Sequence, residues 1–134
     1  MISNNSTLKI AAAIIATFNS FSAFGADRAC LIEGTIVVFG KSIAGKDCLE
    51  NSGSSDDQFK SVCQSISKTS ENMAKTFGGA APKTTYMQAC PPKATATCLG
   101  YFGQPMTSYY YLRDAVELSK TKESCLATGG KWKQ

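Results

Sequence analysis

The sequence predicts an α+β domain in which two helices pack on a small antiparallel sheet and three disulfides staple the layers together. Three observations carry this reading. Six cysteines all lie beyond an apolar N-terminal leader. Two segments with helical hydrophobic spacing each end in Gly-Gly. Between and around them run short stretches rich in β-branched and aromatic residues, bounded by glycine and proline. Even cysteine counts in exported chains read as disulfide frameworks.

The leader spans residues 1–25. A short polar start with one lysine, Lys9, precedes the apolar run Ile10 to Phe18, and small and polar residues follow. This is the order of a secretory signal peptide. The apolar run is too short for a membrane span, which needs ~20 residues. Cleavage after Gly25 places Ala23 and Gly25 at the small-residue positions. The charged pair Asp27 and Arg28 before Cys30 argues against lipid attachment there. The Asn-x-Ser/Thr acceptors, at Asn4 and Asn5, fall inside the leader, which fits bacterial export. The expected mature chain, residues 26–134, is one disulfide-stabilised domain by length. Its expected location is the periplasm or the medium outside a bacterium, with no transmembrane anchor.

Along the mature chain, Ala29 to Gly40 reads as a strand, bent at Gly34. Lys41 to Ser55 is rich in glycine and serine and reads as a loop containing Cys48. Asp56 to Phe77 is the strongest helix. Phe59, Val62, Cys63, Ile66, Met73 and Phe77 form one apolar stripe at three- and four-residue spacing. Ser55 and Gln58 have capping-box spacing, and Asp56 and Asp57 complement the positive helix end. Gly78-Gly79 stops the helix.

Thr84 to Cys90 reads as a strand closed by Pro91-Pro92. Thr95 to Gly103 and Thr107 to Leu112 read as a hairpin turning through Gly103-Gln104-Pro105-Met106. Asp114 to Thr128 is the second helix, with Asp114 and Glu117 as capping box and Ala115, Leu118 and Cys125 on one face. Gly129-Gly130 ends it. The shared order of strands, helix, Gly-Gly and strand suggests an internal duplication. The unequal spacing of Cys63 and Cys125 from their glycine pairs argues against it.

Sequential disulfides are expected: Cys30–Cys48, Cys63–Cys90 and Cys98–Cys125. Cysteine pairs at zinc-ligand spacing are missing from the sequence, so no metal or other cofactor is expected. The chain contains no histidine, which removes Ser-His-Asp and Cys-His nucleophile pairs. The net charge of +4 is mild and interspersed, so a nucleic-acid footprint is not expected. Asp56, Asp57, Asp114 and Glu117 are accounted for by helix termini, which leaves little for carboxylate catalysis.

The remaining chemistry is aromatic. Tyr101, Phe102, Tyr109, Tyr110, Tyr111 and Trp132 crowd into the C-terminal third. Alternation along a strand places Tyr109 and Tyr111 on one face and Tyr110 on the other. Such rings pair a large apolar area with a polar handle and suit protein or sugar contacts. The expected function is therefore a non-enzymatic binding protein with a protein partner: an inhibitor, an immunity-type protein or an envelope-assembly component. A carbohydrate or peptidoglycan binder is the second expectation, and a small carboxylate hydrolase the third.

Overall fold

The computed structural model describes residues 27–134; the signal-peptide reading of residues 1–25 lies outside the described residues. The described residues fold into an α+β arrangement of a six-stranded sheet and two α-helices, with three disulfides. In chain order the elements are β1 (Ala29–Val38), β2 (Lys41–Asn51), α1 (Asp56–Phe77), β3 (Lys83–Met87), β4 (Ala96–Leu99), β5 (Met106–Tyr110), α2 (Ala115–Ala127) and β6 (Lys131–Lys133). A short 3-10 turn, Tyr101–Gly103, links β4 to β5. Every neighbouring pair in the sheet is antiparallel, in the order β3-β1-β2-β5-β4-β6.

That order contains a repeat. The first half runs strand, strand, helix, strand, and its third strand pairs with its first; the second half does the same. Cys30 lies opposite Leu49 and Tyr86, and its counterpart Cys98 lies opposite Ser108 and Trp132. The halves join where β2 meets β5, and there Leu49 faces Ser108. The pair Asp47–Tyr110 on one side of that point corresponds to Asn51–Met106 on the other. A pseudo-two-fold axis therefore passes through the Leu49–Ser108 pair. The duplicated architecture overrides the argument from cysteine spacing, because α1 simply continues for several turns past Cys63 whereas α2 ends beside Cys125.

Local chemistry explains most of the elements. The Ser55 hydroxyl accepts from the Gln58 N–H at the start of α1. Asp114 and Glu117 form a full capping box at the start of α2. The segment expected as a loop is instead strand β2. A two-residue turn at Phe39 and Gly40, both with positive φ, returns the chain on itself. Ten residues of β2 then pair with β1, and five, four of them among those ten, pair with β5. Those tertiary hydrogen bonds outweigh the weak strand preference of its glycine and serine residues. The short strand β6, which follows the second Gly-Gly as the duplicated order suggests, is defined by its pairing with β4.

Side-chain alternation sorts the core into two layers. Cys30, Ile32 and Leu49 face the helices and pack with Phe59, Cys63 and Met106. In the second half Ala96, Cys98 and Tyr110 pack with Leu118 and Cys125. On the other face Ala29, Leu31 and Cys48 pack with Met87, Cys90, Tyr109 and Tyr111. Not every expected helix-face residue is buried. Met73 and Phe77 are exposed although Ala74 between them is buried, and Ala115 is exposed at the start of α2.

The same alternation corrects two of the expected disulfides. The structure contains Cys30–Cys63, Cys48–Cys90 and Cys98–Cys125. Cys30–Cys48 does not form, although the two strands are paired, because Cys48 lies opposite Leu31 rather than Cys30. One residue of offset puts the two thiols on opposite faces. Cys30 therefore meets Cys63 on α1. Cys48 meets Cys90, which leaves Cys63–Cys90 unformed. The Cys90 segment is also held beneath the sheet by its own N–H to Glu50 Oε2 at 2.9 Å and by the Tyr111 hydroxyl to Pro91 O at 2.6 Å. In the entropy model each bridge removes roughly 3–4 kcal/mol of unfolded-state freedom.

The second glycine of each Gly-Gly pair has a packing role beyond stopping a helix. A Cβ on Gly79 would lie 2.1 Å from the Thr35 carbonyl oxygen. A Cβ on Gly130 would lie 2.8 Å from both sulfurs of Cys98–Cys125. Gly130→Ala is expected to cost about 1–3 kcal/mol by overpacking, measured by urea unfolding of the oxidised protein. Non-reducing peptide mapping is expected to recover Cys30 linked to Cys63 and Cys48 linked to Cys90. A Cys30–Cys48 peptide would contradict the register of β1 and β2.

Candidate functional site

Both helices lie on the same face of the sheet, each over its own half, and a groove of about 770 Å³ runs between them. Its floor comes from the two central strands: Asp47 and Leu49 of β2, Ser108 and Tyr110 of β5. Its walls come from Ser61, Val62, Ser65, Ile66 and Thr69 of α1 and from Thr121 and Ser124 of α2, with Thr128 just past its end. Small hydroxyl residues at three- and four-residue spacing put one such stripe on each inward face. Leucines at these places would have drawn the helices together over the floor.

Four of the six hydroxyls are already used as donors to backbone carbonyls of the preceding turn. Ser65 donates to the Ser61 carbonyl at 2.9 Å and Thr69 to the Ser65 carbonyl at 2.9 Å. Thr121 donates to the Glu117 carbonyl at 2.7 Å and Thr128 to the Ser124 carbonyl at 3.0 Å. What those four side chains still offer the groove is acceptor lone pairs. The walls are therefore suited to a ligand that brings its own donors, such as peptide N–H groups or sugar hydroxyls.

Arg113, from the segment between β5 and α2, supplies a fixed cationic group beside the floor. Its Nη2 donates to Asp47 Oδ2 at 2.6 Å, its Nη1 donates to Thr121 Oγ1 at 2.9 Å, and its guanidinium lies 4.6 Å from the centre of the Tyr110 ring. Burial works against its charge, yet the hydrogen bond and charge of Asp47 win, so its pKa is raised. The pair is about one-third exposed, so its stabilisation is modest, on the order of 1 kcal/mol. Its larger effect is to hold a planar donor in one place, with N–H groups to spare.

Tyr101 and Phe102 close one end of the groove, with ring centroids 4.6 Å apart in an edge-to-face contact. A hydrogen bond from Gln58 Nε2 to Gln104 Oε1 at 2.7 Å spans from α1 to the turn beside them. Phe102 is exposed and has a φ of 50°, a left-handed conformation rare for an aromatic residue. Burial, with Tyr110 and Asp47 as further causes, pushes the Tyr101 hydroxyl up to about 12.

The structure does not gather the six aromatics into one surface. Tyr110 is buried in the floor and stacks on Trp132 with centroids 5.8 Å apart. Tyr101 and Phe102 stand at the groove end. Tyr109 and Tyr111 lie on the opposite face, where they pack against the Cys48–Cys90 region, and Lys46 Nζ lies 5.3 Å from the Tyr111 ring centre. Burial also pushes the Tyr111 hydroxyl up to about 12.

Sequence reasoning missed Asp47, Arg113 and the hydroxyl stripes. Ser61, Ser65 and Thr69 are spaced by four, and that spacing was readable, though it would have passed as a solvated helix face. The pairing of Asp47 with Arg113 joins residues from β2 and the segment before α2, which local spacing cannot show. Among the described residues no cluster of three or more histidine, cysteine, aspartate or glutamate side chains is placed to hold a metal ion. No helix among them is long and apolar enough to cross a membrane.

Comparison with protein-family profiles, with curated proteins and with solved structures finds no match to this chain.

The partly buried tyrosines give a measurable pH dependence. The folded state favours the neutral phenol at Tyr101 and Tyr111. That contribution to stability is complete below the ordinary phenol pKa of ~10 and is lost as pH rises toward 12. Absorbance titration at 295 nm is expected to resolve a tyrosine class ionising near pH 12, with unfolding setting in over the same interval. Complete tyrosine ionisation by pH 11 with the fold intact would contradict it.

Proposed function

We propose that this chain is a non-enzymatic binding protein, exported to the periplasm or exterior of a bacterial cell, which takes a segment of a partner protein between α1 and α2. An inhibitor, an immunity-type protein or an envelope-assembly component would all act this way. The observation that carries the reading is the groove itself: an open concavity of about 770 Å³ over Leu49 and Tyr110, walled by hydroxyl acceptors and centred on an immobilised arginine. Its size lies within the ~300–1,000 Å³ range of ligand sites. A polypeptide supplies what the groove lacks, namely N–H donors for the walls, apolar side chains for the floor and a carbonyl or carboxylate for Arg113.

The disposition of the carboxylates favours binding over hydrolysis. Asp47 is engaged by Arg113, and Glu117 accepts the Asp114 N–H as part of the capping box. A glycosidase pair would need two carboxyl groups free to flank one bond. The export reading draws support from the leader and from three disulfides with no free cysteine among the described residues, an arrangement suited to an oxidising compartment.

A carbohydrate ligand is the second reading, favoured by the acceptor-lined walls and by Tyr101 and Phe102 at the groove end. The two readings separate experimentally. A photo-crosslinking residue at Ser65, on the groove wall, is expected to trap a protein adduct in producing cells. The same residue at Thr107, on the opposite face, is expected to trap none. Ser124→Trp, which narrows the groove from an exposed position, should abolish the Ser65 adduct. Adducts from Thr107 alone would remove the groove as the site. Sedimentation with purified peptidoglycan that Ser124→Trp prevents would transfer the groove to a glycan.

A further inference from the structure

Beyond Glu33 and Lys46 the strands β1 and β2 leave the sheet as a two-stranded ribbon. β3 pairs only with Ala29–Glu33, and β5 only with Asp47–Asn51. The outer edge of β1 is covered: Val37 donates its N–H to the Gly78 carbonyl at 2.8 Å, and Ala80 donates to Thr35 Oγ1 at 2.9 Å. The outer edge of β2 is not. The Lys46 carbonyl accepts from the Tyr111 N–H at 3.2 Å, so the backbone groups of Lys46 point outward. By alternation those of Ser42 and Ala44 point the same way. No strand pairs with that edge from Lys41 to Lys46 among the described residues.

A cavity of about 230 Å³ lies on the helix-facing side of this ribbon, and the Asp47–Arg113 pair lines both it and the main groove. Gly34 and Gly45 stand directly opposite each other in its floor, beside the cross-strand pair Ile36–Ile43. Met73 and Leu112 line it while remaining exposed. Glycine inside a strand weakens it, so each needs a reason. Gly34 has one: a Cβ there would come within 3.3 Å of Pro82 Cα. Gly45 has none of that kind, since the nearest atom to an added Cβ is the Gly34 carbonyl oxygen at 3.9 Å. What Gly45 leaves behind is an open apolar floor beside unpaired backbone.

We propose that the free β2 edge and this pocket form a strand-addition site for an extended, acidic peptide segment that inserts one apolar side chain over Gly45. The proposal rests on the protein-partner reading and gives that partner a second contact. Main-chain hydrogen bonds to Ser42 and Ala44 would supply affinity, and the pocket would select the side chain. Lys41 and Lys46 flank the edge with only uncharged residues between them; Glu33 stands across from Lys46 on β1, and the two carboxylates lining the pocket, Asp47 and Glu117, are engaged by Arg113 and by the Asp114 N–H. Two copies of the edge would bring these lysines together, whereas an acidic segment complements them.

The test is to pan an unconstrained phage-displayed peptide library on the oxidised protein and measure the enriched peptides by fluorescence anisotropy. Enriched peptides should carry an apolar residue flanked by Asp or Glu. Gly45→Val fills the pocket with a good strand former and should weaken binding about tenfold or more while thermal unfolding stays at or above the parent. Ala44→Pro removes an outward N–H at an edge position that tolerates proline and should weaken binding similarly. Ser124→Trp, in the main groove, should change binding by less than about twofold. Failure to enrich any peptide, or binding indifferent to Gly45→Val and Ala44→Pro, overturns the proposal. Binding lost only in Ser124→Trp also overturns it and leaves the groove reading standing. A dimer that Ala44→Pro dissociates assigns the edge to a second copy and overturns it as well.

Discussion

Each helix is tied by a disulfide to the first strand of its own half, and the groove exists because of that tether. Cys30–Cys63 fixes α1 to β1, and Cys98–Cys125 fixes α2 to β4. β1 and β4 are not neighbours; β2 and β5 lie between them. Leu49 and Tyr110 in the floor are already buried, but two helices free to slide would still close over the remaining apolar lining of the groove, because burying apolar surface is worth roughly 25 cal/mol per Å². Covalent anchorage on separated strands opposes that collapse. The serine and threonine stripes remove the side-chain incentive for it. Tether and stripe act together, and a folded chain keeps an uncovered concavity at its pseudo-two-fold axis.

The two halves share topology and differ in helix length and in the connections between their strands. In the first half α1 runs to Phe77 and the ribbon projects beyond the sheet, so apolar residues surface at one end of the molecule. In the second half α2 is short, and the β4–β5 connection instead folds into the turn that carries Tyr101 and Phe102. The groove therefore has unlike ends, with an aromatic pair at one and an apolar pocket with a free strand edge at the other. A ligand lying along it would have a direction. The third disulfide, Cys48–Cys90, acts on the other face, where it draws a proline-containing segment over Leu31 and Tyr109. That covering removes Tyr109 and Tyr111 from the side the groove occupies.

Much of the fold was legible because its signals are local. Capping side chains bond within three residues, so Ser55 and Asp114 marked both helix starts. Gly-Gly marked both ends. Alternation alone separated Tyr110 from Tyr109 and Tyr111. β2 was not legible, since its residues have weak strand preference and take their hydrogen bonds from β1 and β5. The same cause hid the candidate site. Asp47 reads as a loop carboxylate until β2 exists, and Arg113 reads as a residue before a helix cap until β2 lies beside it.

The sequence by itself determined the α+β class, the two helices with their termini, and the presence of a cysteine framework suited to an oxidising compartment. Each rests on spacing or on composition, which need no knowledge of the partners. Tertiary structure alone decided the disulfide connectivity, the repeat of the two halves and the groove between the helices. All three turn on strand register, and register is a relation between residues far apart in the chain. A shift of one residue between β1 and β2 would exchange the faces of Cys30 and Cys48 relative to each other, and with them the bridges, the layers and the floor of the site.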